Sequence, residues 1–552
     1  MNHGSQSQSL ALGDYASVVR DRLDQWHSED FGRRLWEKDP TLWSVEPQPE
    51  LVDRLGWLTL HESMRSKLPA LLALADGVKN EGFRHVVLLG MGGSSLAPEV
   101  YQRTFGNGPR YPELLVLDST HPDAVRAVGD RIDPAKTIFV VSSKSGGTLE
   151  TMSGFRYFWS LVAETTETPG IHFLAVTDPD SSLEALATDR GFRAVFHAPP
   201  DVGGRYSALT DFGLVPAALI GVDPGKLLDR AAVLAESVGP FVSALQNPAL
   251  QLGAALGELA VMGRDKVTYV VSETLGAFPD WVEQLIAEST GKDGKGIIPV
   301  AGEGLEDPAD YGSDRFFVYL TVDGDQDGDQ AAALQKLEDA GHPIARITLR
   351  DRYDLAAEMF RAEMAVAAAG AVLGIHPFNQ PDVQLAKTLA QDAMEGTGDQ
   401  GEAPPEVAVG DLDALARHTA QWLGTIGSGD YLGIQAYLPM NASVGTVLQS
   451  IREDLQHRFR IATTVGYGPR FLHSTGQLHK GGPASGLFLQ IVDEPELDLD
   501  VPETDYSFGR LIAAQSIGDY QAMQQRHRRV LRVNLGDHRM QGLADLQAVL
   551  RG

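Results

Sequence analysis

A loop rich in glycine and hydroxyl groups is the strongest sign of chemistry in this sequence. Residues 142–151 read Ser-Ser-Lys-Ser-Gly-Gly-Thr-Leu-Glu-Thr and directly follow the apolar run 137–141. An apolar run, a glycine-rich turn and a helical pattern are together typical of a strand–loop–helix unit. The hydroxyls, the single lysine and the free N–H groups at the helix start suit a phosphate group. An ordinary N-cap loop uses the same residue types, so this loop alone leaves both interpretations open.

Two later segments carry groups that could act on a bound anion. Arg205 follows the glycine pair 203–204 and precedes an apolar helical pattern, where a fixed cation could hold an oxyanion. Gln284 and Glu288 are four residues apart, which places them on one face of a helix and makes Glu288 a candidate general base. Glu283 points elsewhere, and we expect it to be solvated. Taken singly, Arg205 and Glu288 are of types more often found on the surface.

A second glycine loop, residues 90–95, follows a predicted strand and opens a helix. It matches part of a dinucleotide-binding fingerprint, and Asp118 ends the next strand, but Ser95 replaces the third glycine. A tight turn that needs glycine explains the loop equally well. Because parallel strands bring their carboxyl ends to one edge, this loop and 143–148 are predicted to face a common crevice.

Strands and helices alternate from residue 84 onward, which predicts an α/β fold with two doubly wound, mostly parallel sheets. We predict a helical segment over 1–80 without a strand, α/β domains over 81–245 and 246–430, and an α/β C-terminal portion over 431–552. The acidic stretch 394–406 is a predicted exposed linker. The predicted strands are 85–89, 114–117, 137–141, 171–176, 193–196, 267–271, 297–300, 316–320, 344–348, 431–436, 461–465, 487–492 and 530–533.

Composition limits the classes of protein to consider. A chain of 552 residues with 43% hydrophobic and 22% charged residues suggests a soluble protein of two or three domains. No apolar stretch reaches the length of a membrane span, and the start lacks a signal-peptide core. The absence of cysteine excludes disulfides and thiol catalysis and fits a cytoplasmic enzyme. A net charge of −28 argues against nucleic acid as a partner and requires a local positive pocket for any anionic substrate.

Five segments, taken in chain order, resemble the signatures of the glucose-6-phosphate isomerase family. The resemblance covers roughly residues 85–390, and its specificity comes from the combination of segments. The tryptophan-rich start and the C-terminal region resemble the isomerase half of bifunctional transaldolase/glucose-6-phosphate isomerase proteins, although the chain has no room for a transaldolase barrel. The five segments are the glycine loop 90–95, Ser-Lys-Ser-Gly-Gly-Thr at 143–148, Gly-Gly-Arg at 203–205, Gln-x-x-x-Glu-Ser-Thr-Gly-Lys at 284–292, and His-Pro-Phe-Asn-Gln-Pro-Asp-Val-Gln-Leu-Ala-Lys at 376–387.

The resemblance implies an aldose–ketose isomerase that interconverts glucose 6-phosphate and fructose 6-phosphate without a cofactor or a metal. It further implies a homodimer that binds a sugar phosphate and neither nucleic acid nor membrane. By position, Glu288 would be the base, Arg205 would stabilise the enediolate and Gln284 would position the substrate. The other implied site residues are Gly93, Ser94 and Gly204 at the sugar, Ser143, Lys144, Ser145 and Thr148 at the phosphate, and Gln380 and Lys387 at the phosphate and ring oxygen.

The family's ring-opening histidine is displaced in this chain. Between 289 and 375 nothing matches its Gly-Gln-His segment, whereas residues 471–482 resemble the missing piece. His473 is the first candidate, His479 the second and His376 the third, and a purely structural role for each stays open. In the family this histidine comes from a partner subunit, and the displaced order leaves that crossing open here.

The same sequence features leave two other functions open. A non-catalytic sugar-phosphate sensor would use the same loops, but binding alone needs no carbon base such as Glu288. A nicotinamide-linked oxidoreductase is suggested by the partial fingerprint and Asp118. The acidic turn 323–328 begins like a calcium loop, but its twelfth position is Leu334 and not glutamate. Whether mannose 6-phosphate is also a substrate, and whether a separate transaldolase partner exists, the sequence leaves open.

Overall fold

The structure is a computed structural model that describes residues 7–395 and 404–552. Its strands are β1 (Ser7–Ala11), β2 (His85–Gly90), β3 (Glu113–Leu117), β4 (Thr137–Ser142), β5 (Phe173–Thr177), β6 (Ala194–His197), β7 (Lys266–Val271), β8 (Ile298–Val300), β9 (Arg315–Val322), β10 (Ile344–Leu349), β11 (Val407–Ala408), β12 (Tyr431–Tyr437), β13 (Ala462–Tyr467), β14 (Gly486–Val492) and β15 (Arg529–Asn534).

Its α-helices are α1 (Ala16–Ser28), α2 (Phe31–Trp36), α3 (Leu60–Ser63), α4 (Leu68–Asn80), α5 (Leu96–Phe105), α6 (Pro122–Arg131), α7 (Leu149–Ala163), α8 (Ser182–Asp189), α9 (Asp211–Leu219), α10 (Pro224–Ser237), α11 (Pro248–Val261), α12 (Phe278–Thr290), α13 (Gly328–Asp339), α14 (Leu355–Leu373), α15 (Val383–Glu395), α16 (Leu412–Leu423), α17 (Ala442–Phe459), α18 (Gly476–Gly481), α19 (Phe508–Gln525) and α20 (Arg539–Arg551).

Within the part of the chain that the structure describes, the strands form three five-stranded sheets. The first has the order β3-β2-β4-β5-β6, the second β1-β10-β9-β7-β8 and the third β11-β15-β14-β12-β13. Between the strands of residues 7–395 and 404–552, every pairing is parallel except that of β1 with β10. The predicted α/β fold with mostly parallel sheets is therefore confirmed.

Burial explains why these segments pair as central strands. All six residues of β4 are buried, as are the last five of β2, so both faces of the first sheet are covered by helices. A large apolar core joins one face of the first sheet to the second sheet through α9, α11 and α14, and a separate core fills the third sheet. Among the described residues, none of the helices has the length and apolar character needed to cross a membrane.

The structure departs from the expected elements at three places. The first 80 residues are mostly helical, but Ser7–Ala11 forms β1 on the edge of the second sheet, a pairing that its short polar sequence does not reveal. Val407–Ala408 pairs with β15, so this strand joins the third sheet although it precedes residue 431. Residues 171 and 172 belong to a short 3-10 helix, Pro169–His172, and β5 begins at Phe173.

The predicted domain limits themselves stay a prediction. Most of the predicted linker 394–406 lies outside the described residues. The acidic turn at 323–328 leads from β9 into α13, and Asp327 accepts hydrogen bonds from the hydroxyls of Tyr319 and Thr321.

Candidate active site

A cavity of about 380 Å³ lies at the carboxyl edge of the first sheet, where α12 and the segment 376–387 approach the loops after β2 and β4. Twelve of the thirteen predicted site residues line it. The exception is Ser143. The twelve are Gly93, Ser94, Lys144, Ser145, Thr148, Gly204, Arg205, Gln284, Glu288, Gln380, Lys387 and His473.

Arg205 and Glu288 form a buried ion pair in this cavity. The helix α12 carries Glu288, and a short 3-10 helix, Gly204–Tyr206, carries Arg205. The Nε of Arg205 donates to Oε2 of Glu288 at 2.9 Å, and each residue is only 4% exposed. A buried pair of this kind needs further hydrogen bonds to offset the loss of hydration.

Three main-chain carbonyls supply those hydrogen bonds to Arg205. Its Nη1 donates to Pro377 O at 2.8 Å, and its Nη2 donates to Phe378 O and Asn379 O at 3.2 and 3.1 Å. A guanidinium has five N–H donors, and these contacts with the one to Glu288 use four. The cation is therefore held in one position with a donor left for an oxygen of a ligand.

His376 and Lys292 shape this row of carbonyls. The Nδ1 of His376 accepts from Phe378 N at 3.1 Å, and its Nε2 lies 2.9 Å from Pro49 O. Burial lowers the pKa of His376 to about 4. Lys292 Nζ donates to His376 O at 2.6 Å, and burial together with nearby Arg205 lowers the pKa of Lys292 well below its usual range. His376 is thus neutral near pH 7 and turned away from the cavity.

The loop after β4 presents only some of its predicted groups to the cavity. Ser143 Oγ lies 2.9 Å from Thr148 Oγ1 and accepts from Gly146 N at 3.1 Å, so Ser143 stabilises the loop from behind. Ser143 does not line the cavity, and its contact with the phosphate stays a prediction. Lys144 Nζ donates to both carboxylate oxygens of Asp178, at 2.8 and 2.7 Å. Partial burial lowers the pKa of Lys144, although Asp178 opposes that effect.

Close backbone approach explains the glycines at 92 and 93. Gly92 has a φ of 55°, and a Cβ there would overlap the carbonyl oxygen of His473. A Cβ on Gly93 would overlap the carbonyl of Gly204, so the glycine loop lies directly against the Gly-Gly-Arg turn. These glycines allow three segments to meet at the cavity.

His473 enters the cavity from the same chain and pairs with Glu150. The two side chains are joined by a 2.9 Å contact between His473 Nε2 and Glu150 Oε1. Burial would raise the pKa of Glu150, but His473, a main-chain hydrogen bond and Lys387 together outweigh burial and lower it. Gln515 Nε2 donates to Glu150 at 2.7 Å, and Gln284 Nε2 donates to the main-chain oxygen of His473 at 2.8 Å. Both residues also line a larger cavity of about 680 Å³.

The second candidate histidine lies elsewhere. His479 is 5% exposed, packs on Phe488 with ring centroids 4.8 Å apart, and lies 3.1 Å through Nδ1 from Gln435 Nε2. Burial lowers the pKa of His479 well below its usual range. Of the three candidates, His473 alone lines the cavity of about 380 Å³.

Asp118 has a structural environment that differs from a nucleotide site. Its carboxylate accepts from Ser95 Oγ at 3.1 Å and lies 3.4 Å from Arg470 Nη1. Asp118 is only 3% exposed. The carboxylate that suggested a dinucleotide site is therefore already paired with other side chains inside the fold.

Several residues in and beside the cavity wall were not predicted from the sequence. Glu50 and Arg54 come from the N-terminal segment, which carries no motif that could have indicated them. Asp178 directly follows β5, and the rule that ligands bind at the carboxyl ends of parallel strands could have found it. Glu150 stands two residues after the Ser-Lys-Ser-Gly-Gly-Thr loop, so its proximity to that motif was the available signal.

Glu283 also differs from expectation. Glu283 is partly buried and not fully exposed. Burial and the neighbouring Asp280 raise the pKa of Glu283 to about 8. It does not line the cavity that Gln284 and Glu288 share.

Comparison with known proteins identifies relatives over part of this chain. The sequence model of the family described as phosphoglucose isomerase matches residues 61–297. A glucose-6-phosphate isomerase of Rubrobacter xylanophilus is 31% identical over 419 residues, which cover 66% of this chain and 95% of that protein. One from Carboxydothermus hydrogenoformans is 30% identical over 383 residues, covering 57% of this chain and 80% of that protein.

Solved structures share the fold at lower sequence identity. The crystal structure of a glucose-6-phosphate isomerase from Chlamydia trachomatis has a TM-score of 0.60 at 19% identity, covering 76% of this chain and 92% of that one. A hypothetical protein from Thermus thermophilus has a TM-score of 0.60 at 24% identity, covering 70% of this chain and 99% of that one.

Proposed function

Because this chain belongs to the glucose-6-phosphate isomerase family, we propose that it interconverts glucose 6-phosphate and fructose 6-phosphate. The reaction opens the sugar ring and then moves one proton between C2 and C1 through a cis-enediol. The described cavity combines an acidic group, a fixed cation and a hydroxyl-lined loop, which are the groups this chemistry needs.

The phosphate end of the substrate binds at the loop after β4. Ser145 and Thr148 offer hydroxyl donors, and the loop leads into the N-terminus of α7, which favours an anion. Lys144, which is paired with Asp178, lines the same end of the cavity as a hydrogen-bond donor. The sugar then extends toward Arg205, where Gly93 and Ser94 line the same cavity, Gln284 positions the sugar, and Gln380 and Lys387 close the other side.

Glu288 and Arg205 carry out the proton transfer. The Glu288 carboxylate takes the proton from C2 of the open-chain aldose, and the electron pair moves onto the C1 carbonyl oxygen to give the enediolate. Arg205 stabilises that oxygen with a donor that is already oriented, so no reorganisation is required at the moment of transfer. The proton of the C2 hydroxyl moves to the C1 oxygen, the same carboxyl group delivers the abstracted proton to C1, and the C2 oxygen becomes the ketone oxygen.

His473 opens the ring as a general acid at the ring oxygen. The Glu150 carboxylate holds the imidazole in one orientation through the 2.9 Å contact with Nε2, as expected for an acid–base histidine. Lys387 lies in the same cavity and contacts the ring oxygen from the exposed side.

We further propose a cytoplasmic homodimer. His473 and Glu288 of one chain line one cavity, so the proposed chemistry does not depend on a histidine from the partner. Light scattering measures the dissociation constant of the dimer. The specific activity is expected to stay constant when the protein is diluted below that concentration.

The observation that carries the proposal is the buried contact of Glu288 with Arg205 inside a cavity that the loop after β4 also lines. The test supplies fructose 6-phosphate to the purified chain and measures glucose 6-phosphate with a coupling dehydrogenase, in normal water and in D2O. We expect turnover and deuterium at C2 of the product. A protein that binds fructose 6-phosphate but forms no product would be the sensor instead.

A further inference from the structure

The N-terminal part of the chain contributes a wall to the proposed active site. This wall segment, residues 49–55, is held at both ends. Pro49 O lies 2.9 Å from His376 Nε2, and at the other end Leu55 forms a β-bridge with Val202. Gly56 N donates to Asp201 O at 3.0 Å just beyond it. Two of its side chains, Glu50 and Arg54, line the cavity.

Arg54 lies beside Lys144 of the loop after β4. Arg54 Nη1 donates to the main-chain oxygen of Pro200, and Lys144 Nζ lies 3.5 Å from the same oxygen. Both side chains line the cavity. Two cations that share one carbonyl oxygen repel each other, and the proximity of Arg54 contributes to the lowered pKa of Lys144. An anion bound between them relieves that repulsion.

Of the two cations, Arg54 is the one without a close carboxylate partner. Lys144 is paired with Asp178 through both carboxylate oxygens. The nearest acidic oxygen to Arg54 in an ion pair is Glu50 Oε1, at 3.9 Å from Nε, which is beyond hydrogen-bond distance. A phosphate monoester carries about −1.5 to −2 charges at pH 7. Without Arg54, the loop would face that charge with a lysine that Asp178 already neutralises, in a chain whose net charge is −28.

We propose that Arg54 is a second phosphate-binding cation, which clamps the phosphate group of the substrate against Lys144 and the loop after β4. The bond to Pro200 uses one of the five N–H donors of Arg54, and the remaining donors suit two phosphate oxygens at once. The wall segment thereby selects phosphorylated over unphosphorylated sugars. The identity of the sugar rests on the proposed function, whereas the binding of phosphate to this pair of cations does not.

Three substitutions separate charge from structure. Arg54→Gln keeps a donor for Pro200 O and removes the charge, Arg54→Lys keeps the charge, and Arg54→Ala removes both. The matched control is Arg65→Ala, which removes one positive charge from the same part of the chain. Arg65 lies outside the cavity and pairs with Asp229 at a distance of 2.8 Å.

The first measurement is the Kd for inorganic phosphate by isothermal titration calorimetry, which needs no turnover. We expect Arg54→Gln and Arg54→Ala to weaken phosphate binding about tenfold or more, Arg54→Lys to weaken it less than about threefold, and Arg65→Ala to leave it unchanged. Phosphate binding in Arg54→Gln within twofold of wild type would overturn the proposal. So would full retention in Arg54→Gln with loss in Arg54→Lys, since the bond to Pro200 would then be the role of Arg54.

The second measurement is steady-state kinetics with fructose 6-phosphate. We expect Arg54→Gln to raise KM about tenfold or more while kcat stays within about threefold. A fall in kcat at unchanged KM would assign Arg54 to the chemical step and overturn the clamp. If the wild type shows no turnover, the proposed function fails, while the calorimetric result still decides the role of Arg54.

Discussion

Arg205 Nε donates to Glu288 Oε2 at 2.9 Å, although the two residues are 83 positions apart in the chain. Three carbonyls of the segment 377–379 hold the guanidinium where the glycine turn before Arg205 meets the C-terminal end of α12. The fold thus places a candidate base and a fixed cation within one hydrogen bond of each other.

Substitution of the candidate base should separate chemistry from binding. Glu288→Gln keeps the size of the side chain and a contact partner for Arg205 but removes the carboxylate. We expect kcat to fall by about 10²- to 10⁴-fold, while affinity for a phosphorylated sugar acid stays within about tenfold, or about 1.4 kcal/mol. The coupled assay and exchange of the C2 proton with D2O measure the first, and calorimetry the second. Turnover near the wild-type rate would show that another group is the base.

Loss of the ring-opening acid should depend on the form of the substrate. His473→Ala is expected to lower the rate on cyclic fructose 6-phosphate by about 10²-fold or more and to affect an open-chain substrate far less. Glu150→Gln should cause a smaller loss in the same direction, because it leaves the imidazole in place without its carboxylate. His457→Ala, at an exposed surface position, is the control. Equal losses on the cyclic and the open-chain substrates would argue against ring opening by His473.

Local sequence patterns were sufficient to predict the strands of the first sheet and the loops that follow them. The run 137–141 and the loop after it are neighbours in the chain, and burial on both faces leaves a readable apolar signature. The motif at 284–288 likewise needs only helical spacing to place Gln284 and Glu288 together.

Local sequence patterns could not predict contacts between residues that are far apart in the chain. Nothing local indicates that β1 pairs with β10 or that Arg54 reaches Pro200 across 146 positions. The inward direction of Ser143 also depends on Thr148 and Gly146, because the loop uses that hydroxyl for its own hydrogen bonds. The resemblance to the family could place His473 by motif, but only the folded chain brings it to Glu150.

Ser143 and Thr148 therefore provide a matched pair of hydroxyl deletions within one loop. Thr148→Ala should raise KM for fructose 6-phosphate about tenfold, because Thr148 lines the cavity. Ser143→Ala should raise KM less than about threefold and lower the thermal unfolding midpoint instead, since it removes a loop bond worth about 1 kcal/mol. Steady-state kinetics and thermal unfolding of both variants check this. A larger KM effect from Ser143→Ala at an unchanged midpoint would place Ser143 at the phosphate after all.

Glu283 gives a prediction of pH-dependent stability that is independent of catalysis. Burial and Asp280 raise the pKa of Glu283 to about 8, above the ordinary glutamate value that applies in the unfolded chain. The folded state therefore holds a proton that the unfolded state releases, so stability is full below the unfolded pKa and declines as pH rises toward about 8. Glu283→Gln cannot release that proton. The thermal midpoint of the variant should exceed that of wild type at pH 8.5, and the difference should shrink toward pH 5, whereas a difference that stays constant with pH would show that Glu283 is ionised throughout.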